Sequence, residues 1–261
     1  MHTSNKTDPK LESALGLYLA GIRDGKPQAA LEQYTGERYT QHSTGVGNGR
    51  EGFMEFFQPF LERNPKRDIQ VLRSLVDGNY VFCHVFQSLN DGESMWVTMD
   101  MFDTDLDHRI IEHWDVISEY QTETASGNDM VAGESEITDT DSTDINRIVV
   151  REFSKQVLVE GKRAKLAAYV HPDMIQHDPG VENGRDGLNS ALDGGVLGQY
   201  EMIFKVLAQG NFAVTYSRVF NGGKDYAVFD LYRLKNKMIQ EHWSLSEPVL
   251  PRDQWGNSGK F

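Results

Sequence analysis

Four of the eight histidines in this chain come in matched pairs. His42 and His177 each follow a glutamine and precede a glycine-containing turn, and His113 and His242 each sit inside a Glu-His-Trp triplet. Two aspartates recur in the same way. Asp100 interrupts the apolar stretch Met95-Trp96-Val97-Thr98-Met99-Asp100-Met101-Phe102, and Asp230 interrupts Tyr226-Ala227-Val228-Phe229-Asp230-Leu231-Tyr232. Imidazole and carboxylate are the side chains that most readily move protons near neutral pH. A carboxylate among aromatic and aliphatic neighbours is desolvated, which favours its protonated form and equips it as a general base. Each feature also has a plain structural reading: a buried histidine hydrogen-bonded to a neighbour, or an aspartate paired with a backbone amide or with Arg50 or Arg185. Two imidazoles and a carboxylate, His42, Asp100 and His113, are also a known metal-ligand set. No local pair such as His-x-x-x-His supports that use, so no metal is expected.

These residues recur because the chain repeats itself. Gln41-His42-Ser43-Thr44-Gly45-Val46-Gly47-Asn48-Gly49-Arg50-Glu51-Gly52 returns as Gln176-His177-Asp178-Pro179-Gly180-Val181-Glu182-Asn183-Gly184-Arg185-Asp186-Gly187, an offset of 135. The offset is 132 at Gly78-Asn79 and Gly210-Asn211, 130 at Asp100 and Asp230, and 129 at Glu112-His113-Trp114 and Glu241-His242-Trp243. A period of that length matches a complete small domain, so the chain reads as a tandem duplication. The expected organisation is a first domain over 10–120, an acidic linker over 121–144, a second domain over 145–247 and a C-terminal tail over 248–261. The linker holds seven acidic residues and no Lys or Arg, the composition of a solvated spacer.

Within each copy, helical composition comes first, at 10–24 and 26–34 and again at 145–160 and 162–169. Phe53, Phe56, Phe57, Phe60 and Leu61 then share one helical face, which predicts burial of that face. The second copy keeps the spacing with the smaller Leu188, Ala191, Leu192, Gly195 and Val196. The glycine-rich turn before this helix lacks the Gly-Lys-Ser/Thr ending of a phosphate loop, and Asn48 or Gly49 is its expected N-cap. Strands follow at 68–76, 79–89, 94–103 and 109–118, and at 201–208, 211–220, 224–233 and 238–246, separated by turn signals such as Asp77-Gly78-Asn79 and Asn221-Gly222-Gly223. Helices segregated from a consecutive antiparallel sheet make an α+β fold. Alternation along the last strand puts His113 on one face with Ile111 and Asp115, and Glu112 on the other with Trp114.

The formal charge is −13, distributed as −8 over 1–120, −7 over 121–144 and +2 over 145–261. That balance argues against a nucleic-acid partner, which needs a basic stripe. No apolar run is long enough to span a membrane, and the start, Met1 to Lys10, lacks the apolar region of a secretory signal. A cytoplasmic protein is the expectation, and Cys83, the single cysteine, excludes an intrachain disulfide.

The Gln-His pair with its glycine-rich turn, the aromatic helix, the Asp-apolar-aromatic strand and the Glu-His-Trp-Asp strand together resemble the SnoaL-like polyketide cyclases of the nuclear transport factor 2-like superfamily. The resemblance covers most of 10–120 and of 145–247. It implies two tandem cone-shaped α+β barrels, each with helices packed against a curved antiparallel sheet around an apolar pocket. It further implies a small or polycyclic carbonyl ligand and aldol condensation without a cofactor. A binding or sensing module without turnover is the alternative. By the same resemblance Asp100 and Asp230 serve as acid/base, with Asp115 a second candidate, while His42, His113, His177 and His242 orient the substrate or stabilise oxygen charge. His42, Asp100 and His113 should then meet in one cavity, and His177, Asp230 and His242 in another. The copies differ where Asp115 becomes Ser244 and His84 becomes Tyr216, so an essential Asp115 would confine catalysis to the first copy. Family members commonly pair through their sheets, so an intramolecular pseudo-dimer is expected, on which further homo-oligomers would build.

Overall fold

The computed structural model describes residues 7–261; the polar start at Met1 to Lys6, His2 included, lies outside the described residues. The first copy runs α1 (Pro9–Leu15), a π-helical turn (Gly16–Arg23), α2 (Pro27–Tyr34), β1 (Thr35–Gln41), α3 (Gly49–Arg63), β2 (Arg67–Asp77), β3 (Tyr80–Leu89), β4 (Ser94–Thr104) and β5 (Ile110–Glu119). The second runs α4 (Thr143–Phe153), a π-helical turn (Ser154–Val159), α5 (Leu166–Tyr169), β6 (Val170–Gln176), α6 (Gly184–Asp193), β7 (Gln199–Gln209), β8 (Phe212–Asn221), β9 (Lys224–Lys235) and β10 (Met238–Pro248). Contacts divide the chain into two units. One comprises the residues up to Met95 with Asp100–Asp115 and Leu250–Phe261; the other comprises Trp96–Met99 and Val116–Val249. Among the described residues no helix is long and apolar enough to cross a membrane.

Each copy carries a five-stranded sheet, ordered β1-β5-β4-β3-β2 and β6-β10-β9-β8-β7. The antiparallel expectation holds for the four consecutive strands of the meander but not for the whole sheet, because β1 joins β5, and β6 joins β10, in parallel. Thr35–Gln41 has no clean apolar alternation, so its strand character comes from docking on a formed edge rather than from its own pattern. The parallel register sets Gln41 beside His113, and Gln176 beside His242. The glycine-rich turns press on the helices that follow them. A Cβ on Gly52 would lie 2.5 Å from the Cα of Gly47, and one on Gly187 would lie 2.6 Å from the carbonyl carbon of Glu182. Close packing, rather than phosphate binding, accounts for those glycines.

The helices cover one face of each sheet. In the first copy Tyr18, Leu31, Tyr39, Phe53, Cys83, Val85 and Phe102 form a continuous buried cluster, and in the second Val150, Phe153, Leu188, Tyr200, Ala213, Val228 and Tyr232 do so. Of the aromatic row on α3 only Phe53 is buried; Phe56, Phe57, Phe60 and Leu61 are half-buried, and the three phenyl rings touch one another. The row in the second copy is shorter than expected, since α6 ends at Asp193 before Gly195 and Val196. Asn48 caps α3 by position only, for its side chain accepts a hydrogen bond from the Gln41 N–H at 2.8 Å and so ties the helix to β1.

The acidic stretch is not a solvated spacer throughout. Met130 is buried, the Trp243 indole donates to the Ala132 carbonyl at 2.9 Å, and Asn128 donates to the Gln176 carbonyl at 2.9 Å. Its acidic side chains point outward while its backbone and small residues pack, which net composition cannot reveal.

Candidate functional site

In the first copy β4 and β5 present Asp100, Phe102, His113 and Asp115 on the helix-facing side. The His113 Nε2 and Asp100 Oδ1 lie 3.0 Å apart. The Gln41 amide donates to the Tyr39 hydroxyl at 2.8 Å, which turns its carbonyl oxygen toward His113 Nδ1, 3.0 Å away. That pattern places a proton on Nδ1 and leaves Nε2 to share one with Asp100. Phe102 stacks on the imidazole at 4.5 Å and holds its plane. Asp115 accepts from the Ser43 hydroxyl at 2.5 Å on one oxygen and from the Lys260 ammonium at 2.9 Å on the other. Polar atoms of Asp100, His113 and Asp115 all lie within 4.8 Å of one another, and each residue is less than a tenth exposed. Lys260 supplies a positive charge beside the trio. Burial pushes the Asp115 carboxyl up, but Lys260, His113 and the Ser43 hydroxyl outweigh it and hold it below the ordinary carboxylate range. Burial, with the charges of Asp115 and Asp100, pushes the Tyr39 phenol upward, so it stays protonated.

The second copy repeats the dyad and rebuilds its surroundings. His242 Nε2 lies 3.0 Å from Asp230 Oδ1, and Tyr232 stacks on the imidazole at 4.8 Å. The Tyr200 hydroxyl donates to the same carboxylate, 3.0 and 3.2 Å from its two oxygens. Gln176 turns away. Its side-chain oxygen Oε1 accepts from the backbone N–H of His177 and of Asp178, leaving Gln176 Nε2 and His242 Nδ1 without hydrogen-bond partners among the described residues. Ser217 Oγ is likewise buried and without a partner among the described residues, where the first copy has Val85, and Thr215, in place of Cys83, hydrogen-bonds with the Tyr232 phenol. Thr215 is directly across from Asp230 in the sheet, and Asp230 from Ser244. The acid has also changed places. Ser43 with Asp115 becomes Asp178 with Ser244, so the carboxylate moves from the strand to the turn. Burial pushes the Asp178 carboxyl up and the charge of Asp230 adds to that, against the Gly180 N–H and His242.

His42 and His177 do not join these groups. The His42 N–H donates to the His113 carbonyl, and its side chain passes to the opposite side of β5, where the ring stacks on Trp114 at 4.8 Å and contacts Glu112 at 2.8 Å. Its Nδ1 contacts the Gly259 carbonyl. His177 does the same with Trp243 at 4.8 Å, Glu241 at 2.9 Å and the Asp129 carbonyl at 2.6 Å. The expected convergence of His42 with Asp100 and His113, and of His177 with Asp230 and His242, is therefore corrected: strand alternation puts Glu112 and Trp114 on the face away from His113, and His42 follows them. Arg50 is not the partner of Asp100 either. It donates to the Thr35 hydroxyl and to the Thr35 and Gly36 carbonyls.

Residues 17–113 match the SnoaL-like domain family. This chain carries a SnoaL-like domain. Similar solved structures include a candidate polyketide cyclase from Bacillus cereus, 21% identical over 42% of this chain and 74% of that one, TM-score 0.38. A candidate ketosteroid isomerase from Kribbella flavida is 13% identical over 42% and 83%, TM-score 0.38, and an NTF-2 like protein of unknown function from Burkholderia xenovorans is 15% identical over 44% and 95%, TM-score 0.37. No curated protein matches the sequence.

Sequence reasoning missed five polar members of the two sites: Tyr39, Gln41, Tyr200, Asp178 and Lys260. The exchange of Ser43 and Asp115 for Asp178 and Ser244 is written in the aligned repeats and could have exposed Asp178. Gln41 stands in the repeated motif. Nothing local points to Lys260, which meets Asp115 across 145 positions of chain.

Proposed function

We propose that the protein binds a small or polycyclic carbonyl compound against the helix-facing side of its sheets, and that the first copy performs cofactor-free proton transfer of the aldol type. The supporting observation is the buried imidazole–carboxylate pair, built twice at the same position and at the same 3.0 Å. In this reading Asp100 takes a proton from the carbon next to a carbonyl and shares it with His113 Nε2. The electron pair moves onto the carbonyl oxygen, giving an enolate that attacks a second carbonyl, and the dyad returns the proton to the new alkoxide. Gln41 and Phe102 fix the imidazole. His42 has no part in this step.

Three buried polar atoms without partners among the described residues of the second copy, Gln176 Nε2, His242 Nδ1 and Ser217 Oγ, favour a second reading there. Buried groups left unpaired cost free energy that a polar ligand recovers, so that copy suits binding without turnover.

The test is deuterium uptake from heavy water into the α-carbons of 2-tetralone, followed by NMR. Wild-type protein should exchange the probe faster than buffer, and Asp100→Asn should lose roughly a hundredfold or more of that rate while its circular dichroism is unchanged. Equal rates in the two proteins would rule out proton abstraction by Asp100. Saturation-transfer signals from the probe without deuteration would leave the binding module as the function.

A further inference from the structure

We infer that Lys260, carried in on the segment Leu250–Phe261, is a positioning residue of the first site, fixing Asp115 as an ionised counter-charge beside the Asp100–His113 pair. The inference rests on the catalytic reading above and concerns a residue that the domain match, ending at residue 113, does not include.

The geometry is specific. The Lys260 ammonium donates to both the side chain and the backbone carbonyl of Asp115, each at 2.9 Å. It is 3% exposed, and Asp115 is 4% exposed. A lysine lying along a surface for packing keeps its ammonium in water. Here the ammonium is buried, which is tolerated only with a partner charge.

The second copy provides an internal control. Its strap, from Ser126 to Gly133, is anchored as the Leu250–Phe261 segment is. Asn128 donates to the Gln176 carbonyl at 2.9 Å, and the Ser258 N–H donates to the matching Gln41 carbonyl at 3.4 Å. The Asp129 carbonyl meets His177 Nδ1 as the Gly259 carbonyl meets His42 Nδ1. The next residue is Met130 in one strap and Lys260 in the other, both 3% exposed. At the position of Asp115 the second strand carries Ser244, and the Met130 sulfur accepts from the Gln121 N–H at 3.1 Å. The cation is therefore lost together with the strand carboxylate, the acid that remains, Asp178 on the turn, is held above the ordinary carboxylate range by burial with no ammonium beside it, and the anchoring is kept. Holding the strap in place does not require the ion pair, so the pair serves the site.

The groups facing Asp115 are Lys260 on the strap, His113 on β5, Ser43 on the turn, and Asp100 and Tyr39 from β4 and β1. Removing the ammonium leaves two buried carboxylates around one imidazole, and like charges that close resist joint ionisation. One of them then takes up a proton, and Asp100 loses its capacity to accept one from a substrate.

The experiment compares wild type, Lys260→Met and Lys260→Arg by ¹³C NMR of labelled carboxyls, with the Asp115 resonance assigned from Asp115→Asn. In Lys260→Met the Asp115 titration should move to higher pH, and Lys260→Arg should restore it. The acid limb of 2-tetralone exchange should move in the same direction, the rate on that limb falling roughly tenfold per unit of movement. An unmoved Asp115 titration in folded Lys260→Met overturns the inference. If Lys260→Met folds poorly, the double variant Asp115→Ser with Lys260→Met, the pair natural to the second copy, decides. A melting temperature recovered above that of the single variant supports a role through Asp115's charge, whereas one equally low or lower marks a mere anchor and overturns it. Absence of wild-type exchange would overturn the catalytic reading alone, with the carboxyl titration still deciding whether Lys260 sets the state of Asp115.

Discussion

Gly133→Ala separates a packed strap from a solvated linker by the sign of its effect. In a flexible linker the substitution stabilises by about 0.4–1 kcal/mol, because alanine restricts the unfolded chain. In the structure Gly133 has φ +99°, and a Cβ there would collide with Glu241 Oε1 and lie 2.7 Å from Trp243 Cζ2 and 2.9 Å from His177 Nε2. A non-glycine residue at positive φ costs about 1–3 kcal/mol, and overfilling a packed contact costs about 1–3 kcal/mol more. The expected sum is a loss of about 2–6 kcal/mol, since neither cost relieves the other. Gly127→Ala is the control. It shares the positive φ, +74°, but has nothing within 4 Å of its Cβ, so it should lose only the backbone contribution of about 1–3 kcal/mol. Urea unfolding of the three proteins, followed by circular dichroism and by tryptophan fluorescence, gives the differences from the midpoints at constant slope. A neutral or stabilising Gly133→Ala, or two alanine variants of equal stability, would refute the packing of this strap against His177 and Glu241.

Tyr200→Phe removes one hydroxyl from the Asp230 carboxylate without opening a cavity, so it should cost about 1.5–3 kcal/mol in wild type and about half that or less in an Asp230→Asn background; equal costs in the two backgrounds would mean that the hydroxyl's partner lies elsewhere. The two acids exchanged between the copies should tilt stability oppositely with pH. Asp115 is held below its unfolded range, so its stabilisation is complete above about pH 4 and drains away as pH falls through its folded pKa. Asp178 is held above that range, so it weakens the fold as pH rises from about 4 through its folded pKa. Unfolding curves across that window should show Asp115→Asn removing the acid-side loss and Asp178→Asn removing the opposite slope, and parallel wild-type and variant profiles would contradict both.

The eight meander strands were legible because each is a run rich in β-branched and aromatic residues between explicit turn signals, and the repeat was legible because most of its motif recurs residue for residue. The edge strands β1 and β6 were not, since a strand docked on a formed edge needs little pattern of its own. Alternation correctly separated His113 from Glu112 and Trp114, but it could not say which of those two faces His42 would reach. That choice belongs to the parallel register of β1 on β5, which spends Gln41 on His113 and carries His42 past it to Glu112 and Trp114. The linker was misread because charge composition reports which side chains seek water, whereas Met130, Ala132 and Gly133 pack through backbone and small surfaces.

By itself, then, the sequence determined the duplication, the order of helices and meander strands, and the matched recurrence of Asp100 with Asp230 and of His113 with His242, all written in short-range pattern and in self-similarity. Tertiary structure alone decided that His113 meets Asp100 and His242 meets Asp230 across the sheet, that Lys260 meets Asp115, that Tyr200 meets Asp230, and that His42 and His177 clasp straps instead of meeting those pairs. Those pairings join residues a dozen to more than two hundred positions apart. They are chosen because a buried charge or polar group takes whatever partner the packed fold brings within about 3 Å, a distance that no local pattern encodes.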